Sequence, residues 1–497
     1  MRLSLAAIGQ LPEGIAEPGY DPTAYGVGIV HMGIGAFHRC HMAVYTDDVL
    51  ANTGGDWRIL GVSLRSSKIR DQLEPQDGLY TVIVRGASGD DAQVIGSVAG
   101  VLWAPDDPQR VLEAMSAAST KIISLTITEK GYCLDPATGS LNQAHPDIQH
   151  DLVNLGAPKS AIGYLVAALA RRRSDGTGPV TILCCDNLSS NGKVVERIVQ
   201  EFAQQVDSDL AEWIRENVAF PSTMVDRIVP AVEAEQVQAF AEQYGIEDAA
   251  VLQTEPFSQW VIEDSFAAGR PPWETTGATL VEDVAPFEDA KLRMLNGAHS
   301  ALAYIGYLSG YEFVHVAMKD KKIQEFVDYL MRMEAAKSLS PTEGFDLDAY
   351  RLDLQRRFDN PSLRHRTYQI AMDGSQKIPQ RFLGTVRTQL TNGGSIRACC
   401  FGIAAWMRYI SGRSEQGEDY IVQDPLAERL SAVAHEYGHD PVALTVKLLG
   451  FSEIFATDLP QNPEFVNEVK HWVTSISREG MQHALAEFVK DVCEAKQ

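Results

Sequence analysis

Apolar positions along this chain follow two different rhythms. Through the first half, short β-branched runs alternate with longer stretches of helical period. "YGVGIVHMG", "WRILGVSLR", "LYTVIVRG", "KIISLTIT" and "PVTILCCDN" read as strands, "SAIGYLVAALARRR" and "KVVERIVQEFAQQV" as helices. Such alternation builds a mostly parallel sheet. From about residue 286 the strand pattern stops. "FEDAKLRMLNGAHSALAYIGYLSG", "KKIQEFVDYLMRMEAA", "LDAYRLDLQRRF", "CFGIAAWMRYISG" and "PEFVNEVKHWVTSIS" all carry apolar residues at the helical period. The pattern predicts an α/β domain over 1–285 followed by an all-helical domain over 286–497.

Charge narrows the partners. The 497 residues include 66 acidic and 43 basic side chains, a net charge of -23. An anionic surface repels nucleic acid and anionic membranes, so neither is an expected partner. No apolar run approaches the roughly 20 residues of a membrane span. The opening "MRLSLAAIGQLPEG" breaks at Gln10 and Pro12, too early for a secretory leader. Seven cysteines, two pairs of them adjacent (Cys184 with Cys185, Cys399 with Cys400) and none in a C-x-x-C arrangement, read as reduced thiols of a cytoplasmic protein. Nothing in the spacing demands a metal, and the oligomeric state, monomer or dimer, is left open.

A doubly wound sheet binds ligands beyond the carboxyl ends of its strands, so the residues following each strand matter most. The first strand runs into "HMGIGAFHRCH". Gly33 and Gly35 allow a tight turn and close approach of the backbone to a pyrophosphate at the next helix N-terminus. The full G-x-G-x-x-G fingerprint fails, because His38 takes the third glycine position. His38, Cys40 and His41 are all metal-ligand types, but three ligands within four residues rarely converge on one tetrahedral ion. Capping or phosphate contacts suit His38 and Arg39 better. After the second strand, Arg65, Ser66, Ser67 and Lys68 supply no carboxylate for a ribose 2′-hydroxyl, which keeps NADP open beside NAD. Asn187 follows "TILCC" and could donate to a substrate oxygen, or simply serve the turn.

The sharpest cluster is "KLRMLNGAHS". On one continuous α-helix, Asn296 lies about 140° and His299 about 80° round from Lys291, so all three could face one cleft. Gly297 would leave room there for a ligand or the neighbouring domain. A desolvated lysine can act as a general base, while Asn and His hold the reacting oxygen and a neighbouring hydroxyl. Further on, Arg364, His365, Arg366, Lys377 and Arg381 form a basic island in an acidic chain. It could be a solvated face, or a cation cluster that holds a carboxylate.

"GIGAFHRCH", "SLTITEKGYC", "CDNLSSNG", "TMVDRIVP", "EPFSQWVIED" and "KLRMLNGAHS", taken in order over most of the chain, resemble the polyol-specific long-chain dehydrogenases, the mannitol dehydrogenase family. The resemblance implies a Rossmann-type first domain, a helical second domain, and metal-independent hydride transfer with NAD, or NADP, as cofactor. It implies that Gly33, Ile34, Gly35, Phe37, His38, Arg65, Ser66 and Ser67 hold the cofactor. It makes Lys291 the general base, Asn187 and Asn296 the oxyanion donors, and His299 a substrate-binding residue that orients the lysine. Asp226, Arg366 and Lys377 fall to the substrate, and Glu288 to the proton path from Lys291. Within the family, "NPSLRHRTYQIAMDGSQKIPQR" resembles the sugar-acid branch, for which the expected reaction interconverts D-fructuronate and D-mannonate. "GVSLRSS" and "GYEFVHVAM" are nearer the polyol branch, so mannitol and fructose are the alternative small-molecule pair. Cys40 departs from the family's usual Ala, and Ser67 and Lys68 stand where NAD-preferring members carry acidic residues.

One competing motif is "HEYGH", residues His435 to His439, a zinc-protease pattern when carried on a helix. Val442 and Thr445 break the longer form of that pattern, and Pro441 would end the helix near His439. The segment is expected to be the end of an ordinary amphipathic helix.

Overall fold

The computed structural model describes residues 1–86, 89–135, 138–342 and 344–494. It divides into two compact units, Met1–Ala285 and Pro286–Gln497.

The first unit is built on six strands: β1 (Val27–Met32), β2 (Arg58–Ser63), β3 (Val98–Trp103), β4 (Ile122–Leu125), β5 (Val180–Cys184) and β6 (Val218–Ala219). Their spatial order is β3-β2-β1-β4-β5-β6, and every pairing is parallel. That is the doubly wound order of dinucleotide-binding folds, with the switch point between β1 and β4. Strands buried on both faces need continuous apolar runs, and β4 and β5 are buried at every position. Helices Ala161–Asp175 and Asn191–Val206 follow the expected segments and pack into one core with β4 and β5.

One strand goes elsewhere. Tyr80–Gly86 is a strand, but it pairs antiparallel with Gly89–Ile95 and joins a separate mixed sheet with Ile15–Ala16 and Leu252–Thr254. Composition identifies a strand without naming its partner; here the Asp248 carboxylate accepts from the Thr81 amide at 2.6 Å and helps hold the strand in that sheet. The strand β3 escaped the hydrophobic pattern because Gly100 interrupts it. A third small sheet joins Thr223–Asp226, Gln259–Glu263 and Thr279–Val281.

No strand occurs among the described residues of the second unit. Helix Gly297–Leu308 is apolar nearly all round and lies buried against Arg397–Tyr409, which in turn packs on Pro463–Glu479. Among the described residues of this unit three turns are π-helical: Lys291–Asn296, Leu330–Ala335 and Pro379–Leu383. From the second of them, the fully buried Glu334 accepts from Ser395 Oγ and from the amides of Ala398 and Cys399, each at 2.8 Å. A carboxylate from one helix thus caps the first turn of another. Helix Ala427–Tyr437 stops before His439, and Pro441 opens the next helix, so "HEYGH" spans a helix end.

Burial pushes the Glu334 carboxyl up to about 7, against the pull of its amide and hydroxyl donors. Between the ordinary carboxyl pKa and about 7 the native state therefore holds a proton that the unfolded chain releases. That contribution is complete at low pH and is lost as pH rises through about 7. Thermal melts from pH 5 to 8 should show wild type losing up to about 3 kcal/mol relative to Glu334→Gln. Parallel pH profiles for the two proteins would contradict this.

Candidate functional site

The turn after β1 is set by a steric constraint. Gly33 has φ +90°, and a Cβ there would lie 2.2 Å from the Thr126 carbonyl oxygen, just beyond β4. Only glycine meets both conditions. The Gly33 amide donates to the Val62 carbonyl at 2.9 Å, and the Gly33 carbonyl accepts from the Gly35 amide at 2.6 Å. Ile34 then turns its side chain inward, where Gly61 on β2 makes room: a Cβ at Gly61 would sit 2.2 Å from Ile34 Cδ1. Gly35 differs from both. A Cβ there would meet nothing nearer than the Gly33 carbonyl oxygen at 3.8 Å, so no protein atom requires a glycine.

What Gly35 leaves open is a cavity of about 370 Å³ at the carboxyl ends of β1, β2 and β4. Gly33, Ile34 and Gly35 form one wall, Ser63 to Ser66 a second, and Thr126 to Thr128 a third. Arg65, Lys130 and Lys159 bring positive charge to it. Gly35 is the N-cap of the short helix Ala36–Cys40. Glycine-lined space, cationic walls and the switch-point position fit the pyrophosphate of a dinucleotide. The Thr126–Thr128 wall is braced by Asp186, whose carboxylate accepts from the amides of Ile127 (2.8 Å) and Thr128 (3.1 Å) and from the Tyr132 hydroxyl (2.5 Å). Thr128 is held at φ +65°, unusual for a β-branched residue. Asp186 was not legible from the sequence, since its partners lie some sixty residues away.

Several expected cofactor residues sit elsewhere. His38 is fully buried and stacks on His31 with ring centroids 3.4 Å apart; it fills the space under the turn and does not line the cavity. Arg39 is likewise interior, donating to the Ala250 carbonyl at 3.0 Å. The Phe37 ring stacks on His41 at 5.0 Å. Ser67 donates to Asp71 at 2.7 Å and stands outside the lining, whereas Arg65 and Ser66 are part of it. Asn187 is exposed two residues beyond Cys185. Asp226 is buried at the end of its strand, in register with Gln259.

In the helical unit, Lys291 and Asn296 are the first and last residues of the π turn. Separation by five residues on an α-helix puts them far apart in angle. An i→i+5 turn instead brings residue i+5 back towards the side of residue i, so Lys291 and Asn296 lie nearer one side of the helix. The 140° separation expected from α geometry therefore does not apply. Gly297 is spent on packing within the unit: a Cβ there would lie 3.0 Å from the Arg381 carbonyl oxygen. Arg381 donates through Nη1 to the Asn296 carbonyl (3.3 Å) and to Ser300 Oγ (2.8 Å), taking up backbone the widened turn leaves over.

The His299 ring stacks on Phe358 at 5.3 Å and lies tilted against His365 at 5.4 Å. Burial, and then the neighbouring His365, Arg381, Arg357 and Lys377, hold its imidazole well below the usual histidine range, so it is neutral. The basic island thus divides. His365, Lys377 and Arg381 act on His299, joined by Arg357 from the preceding helix, which the sequence reading missed. Arg366, expected at the substrate, is exposed and reaches Glu312 at 3.6 Å. Arg364 lies over the Phe313 ring. Residues 364 to 366 follow an irregular path in which successive side chains take different directions, so adjacency in sequence could not sort them. Lys377 donates to the carbonyls of Ile370 (3.2 Å) and Met372 (2.6 Å). Glu288 is buried in the helical turn just before Lys291. A larger cavity of about 600 Å³ between Tyr329, Leu352 and Val492 includes none of these residues. Among the described residues, no group of three or more His, Cys, Asp or Glu is placed to hold a metal ion.

Strand order, glycine turn and cationic cavity define a Rossmann-type nucleotide-binding unit. The chain belongs to the mannitol dehydrogenase family: the family's Rossmann domain matches residues 27–275 and its C-terminal domain residues 283–477. It is 48% identical to D-mannonate oxidoreductase of Escherichia coli K12, over 95% of this chain and 98% of that one. Mannitol 2-dehydrogenase of Aspergillus terreus is 41% identical over 93% of both chains. The structure of Pseudomonas fluorescens mannitol 2-dehydrogenase in ternary complex with NAD and D-mannitol aligns with TM-score 0.84 at 36% identity, covering 99% of this chain and 100% of that one. A substrate-free D-sorbitol dehydrogenase aligns with TM-score 0.90 at 33% identity, covering 98% of this chain and 100% of that one.

The two glycines should separate by experiment. Gly33→Ala meets both a left-handed backbone and a carbonyl oxygen, and should cost roughly 2–5 kcal/mol of stability. Gly35→Ala should melt like wild type yet bind NADH at least about tenfold more weakly, since its methyl group enters only the cavity. Equal NADH affinity in a folded Gly35→Ala protein would remove the cavity from cofactor binding.

Proposed function

We propose that this chain is an NAD-dependent D-fructuronate reductase that interconverts D-fructuronate and D-mannonate. The observation that carries the reading is the cation cluster at His299. Arg357, Lys377 and Arg381 create a positive field around one neutral imidazole in a chain of net charge -23. A carboxylate-bearing substrate profits from that field, and a neutral polyol does not. The 48% identity to D-mannonate oxidoreductase points the same way.

When bound, the nicotinamide supplies the hydride to the ketone carbon or takes it back. The chain's own residues handle the oxygen. Lys291 gives its proton to that oxygen in reduction and removes it in oxidation. The side-chain amide of Asn296 donates to the same oxygen as its charge develops. Neutral His299 orients Lys291 and bonds a neighbouring substrate hydroxyl, and buried Glu288 passes protons between Lys291 and solvent. No carboxylate lies within Arg65–Lys68, and Asp71 nearby is paired with Arg70, so NADPH should also be accepted.

A second reading, mannitol 2-dehydrogenase, is favoured by the likeness to the enzyme solved with NAD and D-mannitol. Initial rates of NADH oxidation with D-fructuronate and with D-fructose decide between them. We expect kcat/KM to favour fructuronate, the rates to be unchanged by excess EDTA, and NADPH to support turnover. A preference for fructose would move the protein to the polyol reading. Lys291→Ala should lower kcat by roughly 10²–10⁴; turnover within a few-fold of wild type would remove the lysine as base.

A further inference from the structure

The glycine turn is supported from below by a chain of side-chain hydrogen bonds. His31, near the end of β1, is fully buried. Its Nδ1 lies 2.8 Å from Ser124 Oγ and its Nε2 2.8 Å from Thr126 Oγ1, both on or just past β4. The Thr126 hydroxyl also lies 2.8 Å from the Gly33 carbonyl oxygen, which can only accept. The single hydroxyl proton of Thr126 therefore goes to Gly33, and Thr126 must accept from His31 Nε2–H. A neutral ring with its proton on Nε2 accepts at Nδ1, so the Ser124 hydroxyl donates there. Burial, which pushes the His31 imidazole down to about 3, keeps the ring neutral and the direction of the chain fixed. The order is Ser124 to His31 to Thr126 to Gly33.

Every link has a consequence for the turn. The Gly33 carbonyl is the one that also accepts from the Gly35 amide. Thr126 both lines the cavity and presents the carbonyl that forbids a side chain at Gly33. In the usual fingerprint, close packing of helix on strand falls to a third glycine. Here His38 occupies that position and stacks flat on His31, with neither of its own ring nitrogens hydrogen-bonded. His38 packs, and His31 carries the bonds.

We propose that His31 is a positioning residue for the dinucleotide: its ring passes one directed hydrogen-bond chain across the switch point and fixes the Gly33–Gly35 turn in the shape that receives the pyrophosphate. This rests on the nicotinamide-dinucleotide reading above. Bonds in series predict a particular energetic signature, because breaking either link releases the same turn, so two breaks cost little more than one.

The test is NADH binding by fluorescence titration, with melting temperature measured on each protein. His31→Phe keeps a stacked ring without the bonds, Thr126→Val keeps the shape without the hydroxyl, and His38→Phe keeps the stack and removes no hydrogen bond. We expect His31→Phe and Thr126→Val each to weaken NADH about tenfold, the double variant also about tenfold, and His38→Phe to bind as wild type. Multiplying factors in the double variant would overturn the proposal. So would unchanged affinity in folded His31→Phe, or an equal loss in His38→Phe, which would assign the effect to packing. If His31→Phe does not fold, wild-type affinity in Thr126→Val overturns it alone. Failure of the wild type to bind NADH would instead refute the cofactor reading.

Discussion

The approach of the Gly33 backbone to the Thr126 carbonyl is the constraint around which the nucleotide-binding unit is arranged. Two adjacent parallel strands, β1 and β4, send their chains to opposite faces of the sheet at this point. The gap between their ends is so narrow that a single methyl group at residue 33 would collide with a carbonyl oxygen. The left-handed turn that results sends the Ile34 side chain under β2, where Gly61 admits it, and leaves Gly35 facing the cavity. Asp186 braces the opposite wall by gathering two successive amides. Each of these features follows from keeping the two strand ends close without leaving a buried polar group unpaired.

A comparable economy governs the helical unit. A π turn inserts one residue more per turn than an α-helix and disturbs the regular backbone bonding. Arg381 meets the Asn296 carbonyl and Ser300 from the side, and Gly297 lets the Arg381 backbone come close enough to do so. The other two π segments pack against this one, so the irregularities are gathered in one part of the bundle. As a result Lys291 and Asn296, five residues apart, come to lie nearer one side of the helix. The same guanidinium belongs to the charges around His299, which links the shape of the turn to the electrostatics of the site.

Sequence alone determined much of this protein. Repeated apolar runs distinguish strands from helices because each element type has its own period, and that period is local. The change from alternating elements to helices near residue 286 was legible for the same reason, as were the G-x-G turn and the K-x₄-N-x₂-H spacing. "HEYGH" could be set aside because Val442 and Thr445 break the longer zinc pattern and Pro441 cannot continue a helix hydrogen-bond ladder.

Tertiary structure decided what each side chain faces. Tyr80–Gly86 was recognisable as a strand, yet its sheet was chosen by pairing with Gly89–Ile95 and by the Asp248 carboxylate. His38 occupied a ligand-binding position in sequence but filled a gap over His31 in space. Arg366 came to lie exposed beside Glu312, a direction that residues on irregular backbone carry no period to reveal. The π turn was invisible for a related reason: an inserted residue changes the phase of a helix without changing its composition. Local periodicity fixes the kind of element, while facing, phase and partner depend on contacts between residues far apart in the chain.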